Sequence, residues 1–125
     1  MDRIDQFFRT FTSPAPGAIG ACFADPFLVA DATGARTVTR AAFLRALPRR
    51  AEMFAGLGIG RAELVSLSSS RLDDHYVLVR TGWAASRLDG GAPVPMTSSY
   101  LLYDDGARLE IVLYLNHETP LPLRG

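Results

Sequence analysis

The chain contains no lysine, a single cysteine and no long run of apolar residues. Its basic residues are all arginine, and the 13 basic residues are balanced by 13 acidic ones. Because no block of like charge occurs along the chain, nothing directs it to nucleic acid or to an anionic membrane surface. We therefore expect neither of these as a partner.

The single cysteine, Cys22, excludes an internal disulfide and a thiolate metal cluster. The N-terminal segment MDRIDQFFRT carries two acidic side chains and no long apolar run, so we expect neither a signal peptide nor a transmembrane span. These features are typical of a protein of the reducing cytoplasm. His75 and His117 fall in different predicted strands, so we predict no metal site, and we expect no organic cofactor.

The first part of the chain has the apolar spacing of helices. A length of 125 residues suits one domain with a single core or one small cavity, and we predict a single domain over residues 1–125. Apolar residues at three- and four-residue spacing, followed by SPAPG, predict a short amphipathic helix; they are Ile4, Phe7, Phe8 and Phe11. The small apolar segment from Ala18 to Ala24 predicts a second short helix before Asp25-Pro26.

A hairpin and a longer helix are predicted next. The segment PFLVADATGARTVTR predicts two short strands around a turn at Thr33-Gly34. The longest helix is then predicted to begin after Thr39, a suitable N-cap, and to end at Gly56 and Gly58. Pro48 lies inside this helix, where proline costs about 3 kcal/mol. We therefore expect a kink, or two shorter helices that meet near Pro48.

From Ala62 onward the hydrophobic period changes to two. Four strand-like segments follow one another, AELVSLSSSRL, HYVLVRTGWAAS, PVPMTSSYLLYD and ARLEIVLYLNHE, and aspartate- or glycine-containing turns separate them. This pattern predicts an antiparallel meander. Helices followed by strands indicate an α+β fold in which the helices cover the concave face of a curved antiparallel sheet.

The last of these strands is apolar on both faces, which predicts that both faces are covered. Alternation places Leu109, Ile111, Leu113, Leu115 and His117 on one face, and we predict that this row lines the interior. The opposite face is predicted to be an apolar patch beside charged residues, formed by Tyr76, Leu78, Val112 and Tyr114 with Arg80 and Glu110. Such a patch marks an association surface, so a symmetric homodimer through the outer face of the sheet is expected.

The order of these elements resembles the nuclear transport factor two-like superfamily, and its polyketide-cyclase-like branch in particular. The similarity covers nearly the whole chain, and its most specific pieces are CFADPFLVADATG and IVLYLNHE. The resemblance implies a cone of curved sheet with helices over its wide mouth and an apolar pocket inside. The superfamily includes steroid isomerases, dehydratases, polyketide cyclases, epoxide hydrolases and non-catalytic binding domains, so the function stays open.

Candidate site residues follow from the predicted faces and from this resemblance. His117 is the candidate acid or base, because neutral imidazole both donates and accepts a proton near neutral pH; the alternative is an imidazole that is hydrogen-bonded at the rim of the core. Asp25 or Asp31 is its candidate partner. The predicted pocket wall consists of Trp83, Phe27 and Phe54 with either Tyr100 or Tyr103, which lie on opposite faces of their strand.

Two functions are compatible with these residues. Few polar residues fall on predicted inward positions, whereas acid–base catalysis needs at least two converging titratable groups. We therefore predict a domain of unassigned activity that binds a small apolar molecule. The alternative is a cofactor-independent isomerase, cyclase or dehydratase that acts by proton transfer on an apolar carbonyl compound. An open cavity in which His117 meets an aspartate would favour the enzyme.

Overall fold

The computed structural model describes residues 3–13 and 17–117. The elements in chain order are α1 (Arg3–Phe11), a 3₁₀ helix (Gly20–Cys22), β1 (Phe23–Asp31), β2 (Gly34–Val38), α2 (Arg40–Gly56), β3 (Ile59–Arg71), β4 (Tyr76–Arg87), β5 (Val94–Asp104) and β6 (Leu109–Asn116). The residues predicted to end the first helix, 14–16, lie outside the described residues. The predicted α+β class and the four-strand meander are confirmed.

The six strands form one open sheet in the order β2-β1-β6-β5-β4-β3. Neighbouring strands are antiparallel except for β1 and β6, which are parallel. The sheet is therefore mixed, with one parallel pair beside the predicted antiparallel pairs. The chain crosses from β2 through α2 and the meander before β6 returns beside β1, and this long connection allows the parallel pairing. Both helices lie on one face, here called the inner face.

Helix α1 packs on the inner face through Ile4 and Phe8, which are both buried. The Phe8 ring meets the rings of Phe7, Phe11 and Tyr100 at centroid distances of 5.2, 5.5 and 5.2 Å. The spacing that predicts this helix therefore also identifies its buried side, and the first predicted helix is confirmed.

An ion cluster at Asp104 connects α1 to the end of the sheet. The Asp104 carboxylate accepts two hydrogen bonds from the Arg3 guanidinium, at 2.9 and 3.0 Å. It also accepts one from Arg71 at 2.9 Å and one from the backbone N–H of Gly106 at 2.9 Å. The Asp104 side chain is 5% exposed, whereas the arginines are about half exposed. One carboxylate therefore joins α1, β3 and β5.

The second short helix predicted from Ala18 to Ala24 is present only as a single 3₁₀ turn. A helix of three residues, Gly20–Cys22, is present, and β1 begins directly after it at Phe23. Phe23 is completely buried and pairs with Ile111 of β6. Burial and strand pairing outweigh the local preference of small residues for a helix.

The predicted hairpin and long helix are both present. Asp31 and Gly34 close the β1–β2 pair, and the Asp31 carboxylate accepts the Thr33 N–H at 2.9 Å. Thr39 caps α2, since its hydroxyl accepts the Ala42 N–H at 3.1 Å. The helix continues through Pro48 as one element, so it is not divided into two shorter helices, and the alternative of a kink stays a prediction. Pro48 is exposed, and water can satisfy the carbonyl that its missing N–H leaves unpaired.

In β4 the predicted faces are confirmed. The inward row is formed by the buried Val77, Val79, Thr81 and Ala85 with the half-buried Trp83. Arg80 and Leu78 alternate with this row and are exposed. Regular alternation along β4 therefore predicts its orientation correctly.

In β6 the predicted faces are wrong beyond Ile111. Ile111 pairs with Leu102, and Leu113 pairs with Leu101, so Val112 is an extra residue that forms a β-bulge. After the bulge the alternation restarts one residue later. Tyr114 is consequently buried on the inner face, whereas Leu113 and Leu115 fall on the outer face. The prediction that Tyr114 faces a partner is therefore wrong.

Candidate functional site

A cavity of about 780 Å³ lies between α2 and the inner face of the sheet. Small-molecule sites in proteins have volumes of about 300–1,000 Å³, so this cavity has the size of a ligand site. Both helices and all six strands contribute to its lining, and the residues used below are Phe11, Asp31, Arg36, Phe43, Ala46, Arg50, Phe54, Trp83, Ser98, Tyr100, Tyr114, Asn116 and His117.

Aromatic rings form much of the wall. Tyr100 and Tyr114 stack with a centroid distance of 5.1 Å and an interplanar angle of 15°. The Phe43 ring stands edge-on to Tyr114 at 6.3 Å, and the Phe11 ring lies 6.1 Å from the Trp83 ring. The bulge at Val112 brings Tyr114 into this group, and without it regular alternation would turn that ring outward.

Tyr100 is the most strongly perturbed group in the cavity. Its burial raises the pKa of the phenol above the ordinary value, the neighbouring Tyr114 adds to this effect, and hydrogen bonding with Thr81 and Ser98 opposes it in part. The hydroxyl therefore remains protonated at neutral pH, so that it can donate a hydrogen bond.

A short polar chain crosses the inner face beside Tyr100. The Trp83 indole N–H donates to the Thr81 hydroxyl at 2.7 Å, and that hydroxyl donates to the Ser98 carbonyl at 3.2 Å. The Ser98 hydroxyl in turn donates to Asn116 Oδ1 at 3.4 Å. The indole is held in one orientation by this chain, with its ring at the cavity wall.

Arg50 brings a positive charge to the cavity from α2. Its guanidinium carbon lies 5.7 Å from the centre of the Phe54 ring and 5.9 Å from the centre of the Tyr114 ring. These are cation–π distances. The side chain is half-buried, and across residues 3–13 and 17–117 it makes no ion pair.

His117 borders the cavity, but its imidazole is hydrogen-bonded to another side chain at the rim. Its Nε2 lies 2.7 Å from the Ser99 hydroxyl, and its backbone N–H donates to the Thr97 carbonyl at 3.2 Å. Ser99 alternates with the buried Ser98 and Tyr100 and therefore belongs to the outer face. This arrangement corresponds to a histidine that is hydrogen-bonded at the rim, and a role as acid or base stays a prediction.

The two candidate aspartates are held by other groups. Asp25 is exposed and accepts the Arg40 N–H at 3.0 Å, and it does not line the cavity. Asp31 does line the cavity, but hydrogen bonds from Thr33 and the nearby Arg36 lower the pKa of its carboxyl. No hydrogen bond joins either aspartate to His117 within the part of the chain that the structure describes.

Three of the four predicted wall residues lie on the cavity. Trp83, Phe54 and Tyr100 line it, whereas Phe27 is buried outside the lining, against the rings of Phe23 and Phe43. Tyr100 is the inward tyrosine of β5; Tyr103 lies on the outer face, where its ring is 5.5 Å from the Tyr76 ring. His75 is exposed in the turn before β4.

Arg50, Tyr114 and Asn116 line the cavity but are absent from the sequence-based candidates. Arg50 lies three residues after Leu47 and four before Phe54, so it falls within the apolar face of α2. A charged residue within an apolar helix face is visible in the sequence, so Arg50 could have been identified as a candidate. The position of Tyr114 and Asn116 depends on the bulge, for which the sequence gives no comparable signal.

Neither a membrane span nor a metal centre is apparent in the described part of the chain. None of its helices combines the length and apolar character needed to cross a membrane. Among the described histidine, cysteine, aspartate and glutamate residues, no three are grouped so as to hold a metal ion.

Solved structures with the same fold are numerous, although no protein-family profile and no curated protein matches the chain. A protein of unknown function with a cystatin-like fold from Nostoc punctiforme PCC 73102 superposes with a TM-score of 0.70 at 10% identity, covering 97% of this chain and 92% of that one. A hypothetical protein from Catenulispora acidiphila DSM 44928 with a ketosteroid isomerase-like fold, in complex with trimethylamine, gives a TM-score of 0.61 at 19% identity, covering 95% and 86%.

A third similar structure carries the name of the predicted superfamily. It is an NTF2-like protein of unknown function from Pseudomonas putida KT2440, with a TM-score of 0.62 at 17% identity, covering 90% of this chain and 78% of that one. Similarity at this level of identity shows the fold, and the chain has the nuclear transport factor two-like, cystatin-like fold. The resemblance found in the sequence is confirmed to that extent, and the polyketide-cyclase-like branch stays a prediction.

Proposed function

We propose that this protein binds a small, largely apolar molecule in the cavity between α2 and the sheet. The observation that carries the proposal is the open volume of about 780 Å³ with aromatic walls, because a chain of this size normally fills its core with its own side chains. Tyr100, Ser98 and Asn116 add polar groups to the lining, and a few fixed polar groups within an apolar lining are typical of ligand sites.

Proton-transfer catalysis is less well supported than binding. Catalysis of this kind needs a base beside the ligand. Asp31 is the carboxylate among the described lining residues, and its lowered pKa, caused by hydrogen bonds from Thr33, makes it a weak base. His117 is bound to Ser99 on the other face of the sheet. The positions of these groups therefore favour a binding domain over an isomerase, cyclase or dehydratase.

Filling the cavity is expected to abolish binding of an apolar probe. Ala46 lines the cavity from α2, and Ala41 is exposed on the same helix and does not line it. We expect wild type to bind N-phenyl-1-naphthylamine with enhanced probe emission and quenching of Trp83, the single tryptophan. Ala46→Phe should weaken this binding by about tenfold or more, which corresponds to about 1.4 kcal/mol, and Ala41→Phe should leave it unchanged.

Two results would contradict the proposed function. One is the absence of probe binding to wild type that is folded by circular dichroism. The other is equal affinity of wild type, Ala46→Phe and Ala41→Phe, because the probe would then be bound elsewhere on the surface.

We also propose that two copies of the chain pair through the outer face of the sheet. Four leucines form one row across neighbouring strands, with Leu28 opposite Leu113, Leu113 opposite Leu101, and Leu101 opposite Leu78. Leu28 and Leu78 are 42% and 44% exposed. A row of this kind can pack on itself about a two-fold axis, which would remove the apolar side chains from water.

A charge within this leucine row is expected to separate the dimer. Leu78→Asp would place a carboxylate in the proposed interface, and burial of an unpaired charge is costly. We expect light scattering at micromolar concentration to give a dimer mass for wild type and a monomer mass for Leu78→Asp. Leu88→Asp is the matched control, since Leu88 is 63% exposed and follows the strand. A monomer mass for wild type would contradict the proposal.

A further inference from the structure

We propose that the ligand of this cavity is a flat aromatic or polycyclic molecule that carries one carboxylate, and that Arg50 binds this carboxylate. The inference rests on the proposed function, because it names the chemical class of the molecule that occupies the same cavity. It starts from the charges that line the cavity and from the shape of the wall around them.

The lining contains one positive charge that is not compensated within the described residues. Besides the imidazole of His117, the lining contains the charged side chains of Asp31, Arg36 and Arg50. Asp31 and Arg36 form an ion pair at 3.8 Å, so they largely cancel each other. Arg50 makes no ion pair in the described part of the chain. An anion that enters the cavity would therefore find a single free partner.

The surroundings of Arg50 hold its guanidinium in place for such a partner. The Phe54 and Tyr114 rings both lie within cation–π distance of it, so the two rings restrict its position without using its N–H donors. A planar guanidinium with free donors matches a carboxylate with two parallel hydrogen bonds. Because the side chain is half-buried, such bonds are less screened than they would be at the surface.

The wall on either side of Arg50 favours a flat skeleton. The half-buried rings of Phe43, Phe54 and Trp83 line the cavity, and Thr81 holds the Trp83 indole in place. Rings prefer offset-stacked or edge-on contacts with other rings.

A pair of matched small molecules tests this class. 2-Naphthoate and 2-naphthamide share a naphthalene skeleton and differ in that one carries a carboxylate and the other a neutral amide. Each is titrated against wild type loaded with N-phenyl-1-naphthylamine, and displacement of that neutral probe is measured. We expect 2-naphthoate to displace it at about tenfold lower concentration than 2-naphthamide, the size of one charge-assisted hydrogen-bonded pair.

Arg50→Met tests the role of the arginine, because methionine retains an apolar stem of similar length. In this variant the preference for 2-naphthoate should fall below about threefold, while N-phenyl-1-naphthylamine still binds. Arg49→Met is the control, since Arg49 is exposed on the same helix and does not line the cavity, and it should retain the wild-type preference. Arg50→Lys should restore part of the preference through charge alone.

The outcomes separate the two proposals. If N-phenyl-1-naphthylamine does not bind wild type, the proposed function fails and the inference falls with it. If the probe binds but the acid and the amide displace it equally, or if Arg50→Met keeps the full preference, the inference alone is overturned. If Arg50→Met does not fold, the wild-type preference for 2-naphthoate decides, together with its partial retention in Arg50→Lys.

Discussion

Replacing Phe8 by alanine is expected to lower the free energy of unfolding by about 3–5 kcal/mol. Phe8 is 1% exposed, and its ring contacts the rings of Phe7, Phe11 and Tyr100. The truncation leaves a void under α1, because the sheet behind it is held by its own hydrogen bonds and relaxes little. The free energy of unfolding of a typical domain is about 5–15 kcal/mol. A loss of this size is therefore a large part of the total stability.

Urea unfolding followed by circular dichroism measures this effect. Phe7→Ala is the matched control, because it removes the same atoms from the neighbouring residue, whose ring is partly exposed. The loss for Phe7→Ala should be clearly smaller. If Phe8→Ala costs no more than Phe7→Ala, α1 does not pack on the sheet through Phe8.

Replacing Asp104 by asparagine is expected to lower the melting temperature at neutral pH by more than about 5 °C. The buried carboxylate accepts hydrogen bonds from Arg3 in α1 and Arg71 in β3. The amide nitrogen of asparagine cannot accept hydrogen bonds from a guanidinium, so the two arginines would face each other without a negative charge between them. The connection between α1 and the end of the sheet would then be weaker.

The same carboxylate predicts a dependence of stability on pH. Hydrogen bonds from Arg3, from the Gly106 N–H and from Arg71 hold the pKa of Asp104 well below its usual range. In the unfolded chain that pKa returns to about 3.9. Because the folded value is the lower one, the carboxylate contributes its full stabilisation above the unfolded pKa, and the contribution is lost as the pH falls through the folded pKa.

Thermal unfolding of wild type and Asp104→Asn between neutral pH and about pH 3 measures this contribution. The difference in melting temperature should be largest at neutral pH and should shrink below about pH 4. Asp74→Asn serves as the control, since Asp74 is exposed in a nearby turn, and it should follow the wild-type curve. A difference that stays constant over this range would mean that the Asp104 charge does not stabilise the fold.

Local patterns predicted much of the secondary structure correctly. The spacing of Ile4 and Phe8 identifies α1 together with its buried side, and alternation in β4 identifies the inward row that includes Val79 and Trp83. These predictions succeed because amphipathic periodicity is a property of a few neighbouring residues. The edges of the sheet and the parallel pairing of β1 with β6 depend on residues far apart in the chain, and no local pattern contains that information.

The candidate site was only partly predictable for the same reason. Trp83, Phe54 and Tyr100 lie on the cavity as predicted, because each belongs to an element with a clear inward face. β6 is apolar on both faces, so its alternation could not reveal the extra residue at Val112 that turns Tyr114 inward. Arg50 could have been found, because a charge within the apolar face of α2 contradicts the pattern around it.

Helix α2 has no fully buried residue in its 17 positions, although its apolar face covers the cavity. In most domains the apolar face of such a helix packs against side chains of the same chain. Here a bound molecule would supply part of that packing. Ligand occupancy and the folding of α2 would then be thermodynamically linked, since a ligand that binds only the folded state stabilises it by RT ln(1 + [L]/Kd). The cellular concentration of the ligand would therefore help to set the lifetime of the protein.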